Sequence, residues 1–141
     1  MKTLLLLSLL LLCDINLSAQ EIPIQKSQLP REAQAFLKEH FKSGFHHAIK
    51  EVNERVILYD VFLNDNTEIE FNESGRWIKV DGKGQALPVT FLQKQTLDYV
   101  KIKYPAAQIT KIERSASVYK LELSNKIDLK FDAVGTFIKA D

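Results

Sequence analysis

The strongest constraint on this chain is that it resembles itself. The stretch Phe71-Asn72-Glu73-Ser74-Gly75-Arg76-Trp77-Ile78-Lys79-Val80-Asp81 matches Phe131-Asp132-Ala133-Val134-Gly135-Thr136-Phe137-Ile138-Lys139-Ala140-Asp141 at a constant offset of 60. Carried backward, that offset sets Tyr59 on Tyr119, Val61 on Leu121, Leu63 on Leu123, Ile69 on Leu129, Ile49 on Ile109 and Val52 on Ile112. Self-similarity over such a length predicts two copies of one supersecondary unit, neither of which can bury its apolar face without the other. Leu29-Pro30 and Leu87-Pro88 open the copies at an offset of 58, so the second copy is expected to gain two residues between its helix and its first strand.

Within each copy the apolar period changes. Ala33, Phe36, Leu37, His40 and Phe41 fall on one face of a helix, with Pro30 at its first turn, where a missing N–H is harmless. Leu92, Leu97, Val100 and Tyr104 form a second stripe, opened by a Thr90/Gln93 capping box and stopped by Pro105. The period then becomes two. Ile57, Tyr59, Val61 and Leu63 alternate with Leu58, Asp60 and Phe62; a turn at Asn64-Asp65-Asn66 leads to Thr67–Phe71, and Gly75 turns the chain into Arg76–Val80. With a strand around Ile49 to Val52, each copy reads as one helix followed by four antiparallel strands. The expected fold is α+β, a tandem repeat forming one antiparallel sheet with both helices on one face. Its expected boundaries are an N-terminal segment 20–28, a first repeat 29–81, a linker 82–86 and a second repeat 87–141.

Alternation then assigns faces. Tyr59, Val61, Leu63, Ile69, Phe71 and Ile78, with Tyr119, Leu121, Leu123, Leu129, Phe131 and Ile138, are expected to meet the helices. Leu58, Asp60, Phe62, Glu68, Glu70, Trp77 and Lys79 point the other way, with Val118, Lys120, Glu122, Asp128, Lys130, Phe137 and Lys139. The open face is therefore charged but interrupted by Leu58, Phe62, Trp77 and Phe137. Isolated surface apolar residues are ordinary, yet Trp and Phe are the residue types that anchor interfaces. These four are the candidate partner-binding residues.

The N-terminus carries an export signature. Lys2 precedes a leucine run, Leu4–Leu12 broken only by Ser8, too short to span a bilayer, and Asp14–Ala19 ends in small residues, so cleavage is expected after Ala19. Cys13 could accept lipid in a bacterial lipoprotein, but Leu12 stands where such sites usually have a small residue. Cleaved after Ala19, the chain has no cysteine, and a disulfide framework, thiol nucleophile or Cys-ligated zinc is excluded. The expected location is periplasmic or secreted.

The paired units, with Leu-Pro before each helix, Tyr104-Pro105 after the second, and hairpins from Tyr59 to Trp77 and from Tyr119 to Phe137, resemble the PepSY-like, beta-lactamase-inhibitor-like family of small exported proteins of Bacteroides relatives. The resemblance spans about residues 29–141, departing where the first helix ends in Phe41-Lys42-Ser43-Gly44 rather than Tyr-Pro. It implies a single curved sheet. It also implies a binding role, because the beta-lactamase inhibitor grips its enzyme with aromatic residues on the concave sheet face, where Phe62, Trp77 and Phe137 would fall. PepSY domains of protease propeptides restrain a peptidase, so an inhibitory role follows by analogy.

Catalytic signatures are sparse. Gly82-Lys83-Gly84 is a short joint rather than a phosphate loop, and Ser115-Ala116-Ser117 sits in a turn without a neighbouring base. His40, His46 and His47 have no accompanying carboxylate cluster and read as a solvated helix end rather than a metal site, while Glu68 and Glu70 read as solvent-facing strand residues. A net charge of +1 excludes a general nucleic-acid grip. The expectation is a non-enzymatic binding module with no cofactor and an extracytoplasmic protein as partner. A small-ligand binder in an apolar groove between helix and sheet, or a structural envelope protein acting through an exposed final strand, is the alternative.

Overall fold

The computed structural model describes residues 19–141; the expected signal peptide, including Cys13, otherwise lies outside the described residues. The fold is α+β, with two helices and one nine-stranded antiparallel sheet. In chain order the elements are β1 (Gln20–Ile24), a 3-10 turn (Lys26–Gln28), α1 (Arg31–His40), β2 (Phe45–Val52), β3 (Ile57–Leu63), β4 (Glu68–Asn72), β5 (Trp77–Asp81), α2 (Lys94–Lys103), β6 (Ile109–Arg114), β7 (Val118–Leu123), β8 (Asp128–Asp132) and β9 (Phe137–Ala140). The strands lie in the sheet in that same order.

Both helices rest on one face. Val61, Ile69, Phe71, Val80, Ile112, Leu121, Leu129 and Phe131 point to that face and are fully buried, and alternate residues of the same strands point away. From α1, Ala33 and Leu37 are buried on this layer, and Thr96 and Val100 are their counterparts from α2. The two halves join through the short pairing of Lys79, Val80 and Asp81 with Glu113, Ile112 and Lys111.

Several expectations are corrected here. Residues 20–24 form an edge strand on β2. Pro23 hid it, because Pro cannot donate to a ladder and is tolerated only where that side faces no neighbour. Gln93, not Thr90, caps α2, and its side-chain amide donates to the Ala133 carbonyl at 2.7 Å instead of closing a capping box. The two-residue gain is a net figure. Matched by their elements, α1 and α2 stand 63 apart, while Ala48 and Ile112, which pair Val61 and Leu121, stand 64 apart. The second half thus gains residues ahead of its helix and loses them in the β6–β7 turn, so Ile49 and Val52 do not correspond to Ile109 and Ile112. Gly82-Lys83-Gly84 is pinned rather than loose: the Gly82 amide donates to the Thr110 carbonyl at 2.9 Å, and Lys83 Nζ reaches Glu68 at 2.6 Å and Asp81 at 3.1 Å.

The correction with most consequence lies in β5 and β9. Pairing runs Glu70↔Lys79 and then Phe71↔Trp77, leaving Ile78 as the extra residue of a β-bulge. In the last hairpin, Lys130↔Lys139 is followed by Phe131↔Phe137, leaving Ile138 extra. Because side chains alternate with period two, one extra residue reverses the parity beyond it. Trp77 and Phe137 therefore join the helix-facing layer, and Ile78 and Ile138 drop out of it. Trp77 is only 6% exposed, whereas Ile138 is 51% exposed. Gly75 and Gly135 turn the chain just before each bulge at φ of +87° and +91°, a region that glycine enters without strain. A Cβ on Gly75 would stand 2.8 Å from Pro30 Cβ, so this turn is packed directly onto the start of α1.

The burial of Trp77 makes a prediction. Trp77→Ala should lower unfolding free energy by about 3–5 kcal/mol, as removal of a buried indole does, while Ile138→Ala should cost less than about 1 kcal/mol. Urea titration of both variants checks this; equal costs would mean that the bulge does not form.

Candidate functional site

The face without helices runs across the whole sheet, and its apolar side chains in the first half come from β2 and β3, with β4 and β5 beside them. Cross-strand pairs set His47 beside Phe62, Ile49 beside Asp60 and Glu51 beside Leu58, then Phe62 beside Glu68 and Asp60 beside Glu70, and finally Glu70 beside Lys79. The Phe62 and His47 rings stack nearly parallel, with centroids 4.4 Å apart and planes 7° from each other. His47 reaches that position because His46 is the extra residue of a third irregularity, between Phe45 and His47, and the two histidine Nδ1 atoms lie 2.6 Å apart. These histidines belong to a strand, not to the helix end expected for them.

The four candidate residues separate. Leu58 and Phe62 lie on the uncovered face, as alternation required. Trp77 and Phe137 lie under the helices. Trp77 stacks on Phe36 of α1 and packs edge-on to Phe91, while Phe137 stacks on Tyr99 of α2 at 4.3 Å. The physical reason is the pair of bulges, which makes these aromatics part of the core. In their place the uncovered face gains His47 and Ile49, which the sequence reading missed by placing residues 46 and 47 in a helix end. Continued alternation backward from Ile57 across the β2–β3 turn is the signal that could have found them.

Charge organises the rest of this face. Lys79 and Lys83 converge on Glu68 at 3.3 Å and 2.6 Å, and Lys83 also meets Asp81. Burial raises the Glu68 and Asp81 carboxyls, but Lys83 and Lys79 at Glu68, and the Lys83 amide and ammonium with the charge of Lys111 at Asp81, outweigh it and hold both below their usual range. Asp60 is the opposite case. Burial, followed by the carboxylates of Glu70 and Glu51, pushes its carboxyl up to about 7, and its Oδ1 is enclosed without a hydrogen-bond partner. Among the described residues no group of three His, Cys, Asp or Glu side chains is disposed to hold a metal ion.

The sign of the Asp60 effect follows from linkage. The folded protein holds this proton more tightly than the unfolded chain, where Asp titrates near 3.8, so its contribution is fully present below that value and is lost as pH rises through about 7. Asp60→Asn should therefore stabilise the protein progressively, relative to wild type, between about pH 5 and about pH 8. Urea midpoints at the two ends of this window test it; a constant difference would remove Asp60 as the titrating group.

Residues 57–139 match the family described as "putative beta-lactamase-inhibitor-like, PepSY-like". Three solved structures share the fold. One, a "putative calcium-regulated periplasmic protein" of Bacteroides thetaiotaomicron, is 36% identical with a TM-score of 0.82, over 86% of this chain and 96% of that one. A periplasmic protein of the DUF2874 family from Bacteroides vulgatus is 36% identical with a TM-score of 0.81, over 86% of this chain and 97% of that one. A second Bacteroides vulgatus protein, periplasmic and of unknown function, is 30% identical with a TM-score of 0.81, over 86% and 99%. No curated protein matches the chain. The chain belongs to the PepSY-like, beta-lactamase-inhibitor-like family.

Proposed function

We propose that this protein is a non-catalytic, exported module that binds a partner protein through its uncovered sheet face. The observation that carries this reading is the apolar strip formed by Ile49, Leu58 and Phe62, with the stacked His47 ring, on a face that neither helix covers. Asp60 lies within the strip, between Leu58 and Phe62 and opposite Ile49, and Glu51, Glu68 and Glu70 border it, so a partner would meet apolar side chains interleaved with carboxylates. The leucine-rich N-terminus and the periplasmic neighbours support an extracytoplasmic location, and the beta-lactamase-inhibitor-like family supports restraint of a hydrolase as the consequence of binding. Duplication of a helix-plus-four-strand unit accounts for the matching order of elements in the two halves.

The test uses residues 20–141 as bait in periplasmic and culture-supernatant fractions, beside a folded Leu58→Asp/Phe62→Asp variant. A protein retained by the wild type, lost by the variant, and bound with the same discrimination when purified supports the reading. Equal retention by both baits refutes it.

A second reading rests on a different observation. Between α2 and the start of β6 lies a groove of about 640 Å³, lined by Leu87, Val89, Leu92, Leu97, Val100 and Ile109 among others, large enough for a small apolar ligand. If this groove is the functional site, neutral 1-octanol should shift the methyl resonances of Leu97 and Val100 saturably, and Leu97→Trp should abolish the shift. Unchanged spectra would dismiss it.

A further inference from the structure

One end of the sheet carries two arginines that no carboxylate among the described residues pairs with. The β4–β5, β6–β7 and β8–β9 turns border an open hollow of about 550 Å³, and its lining includes Arg76, Arg114, Ile78, Ala116 and Tyr119 but no carboxylate side chain. Both arginines also line an adjoining hollow of about 290 Å³ beside α1, which contains Glu32 and Glu39. Neither arginine is ion-paired with those carboxylates: the ion pairs among the described residues engage lysines and one histidine.

Arg114 is held in place. The β5–β6 ladder ends at Lys79↔Glu113, and beyond it the Trp77 carbonyl accepts a hydrogen bond from Arg114 Nε at 2.6 Å. The guanidinium carbon stands 4.1 Å from the centre of the Trp77 ring. This cation–π contact and the Nε bond fix the plane of the group and leave its terminal N–H donors unspent. Such a fork is matched to a planar carboxylate, which accepts two parallel hydrogen bonds. Arg76 supplies a second positive charge, and Ile78, Ala116 and the Tyr119 ring give the hollow apolar walls.

We propose that Arg76 and Arg114 form a carboxylate-binding site, which takes a small organic acid whose apolar body lies against Ile78, Ala116 and Tyr119. The hollow borders the strip at one point only, since Asn72 in its lining pairs with Leu58, while Phe62 lies four residues further along β3. The site joins the two halves, because Arg76 comes from the first hairpin pair and Arg114 from the second.

Trp77 is the single tryptophan of the chain and lies against Arg114, so its emission reports occupancy. N-acetylphenylalanine should change that emission saturably, and its uncharged amide should not. Amide NMR shifts at Ser115 and Ala116 provide a readout independent of the indole. Arg76→Gln, at an exposed position, should weaken binding about tenfold, and Arg114→Gln should weaken it at least as much. Arg114→Lys should recover only part of the loss, since a lysine lacks the fork. Phe62→Asp should leave binding unchanged. Equal response to the amide, a preference for phenyl phosphate, indifference to Arg76→Gln, or no saturable response to the acid by either readout would overturn the assignment.

Discussion

The helices of this protein pack on its sheet through aromatic side chains that one extra residue in each of two strands turns toward them. At Ile78 and Ile138 the ladders slip, and the aromatic side chains just before them turn toward the helices. Each helix then meets the same arrangement. Phe36 of α1 stacks on Trp77 and packs edge-on to Phe71, and Tyr99 of α2 stacks on Phe137 and packs edge-on to Phe131. Without the slip, Ile78 and Ile138 would take those places, and the Trp77 and Phe137 rings would turn to the face without helices. Burial of such rings, with their preferred stacked and edge-on contacts, is among the larger stabilising terms available to a core of this size.

The halves are alike in plan but not in use. Ahead of α2 the longer connection delivers Phe91 against Phe36, His40, Phe41 and Trp77, and Thr90 Oγ1 lies 2.9 Å from His40 Nδ1. The second half therefore closes over the first and seals its aromatic cluster. On the opposite face the difference runs the other way. Both halves carry ion pairs there, Lys79 with Glu68 in the first and Lys120 with Asp128 in the second, but where β3 presents Leu58, Asp60 and Phe62, β7 presents Val118, Lys120 and Glu122. That asymmetry is why the first half carries the binding face proposed here.

Much of this was legible from the residues. The positions of both helices, the strands β3 to β5 and β7 to β9, and the buried set from Val61 to Phe131 follow from period and self-similarity, since those patterns reflect which side chains must leave water. The bulges were not. Alternation read backward from the buried Val80 puts Ile78 inside and Trp77 outside, and nothing in the composition of β5 marks where parity breaks. Gly75 and Gly135 were a partial cue, because a left-handed glycine at the end of a short turn often accompanies an irregular hairpin. For the candidate site, Leu58 and Phe62 were placed correctly for the same reason that Trp77 and Phe137 were not: no residue is inserted in β3 between Leu58 and Phe62 and the positions they pair with on β4. Arg114 was passed over because its setting depends on where the β5–β6 ladder ends, a tertiary fact.

The strictly sequential order of the strands also has a kinetic consequence. Every strand but one finds its neighbour across a short turn or, for β1 and β2, across the single helix α1, so most contacts close over short stretches of chain and cost little loop entropy. The junction of β5 with β6 also closes across a helix, α2, but over a longer connection and with only three residues of each strand paired. The hairpins within each half are thus expected to close before that narrow seam, whose three pairs, with Phe91 lodged against Phe36 and Trp77, tie the halves together.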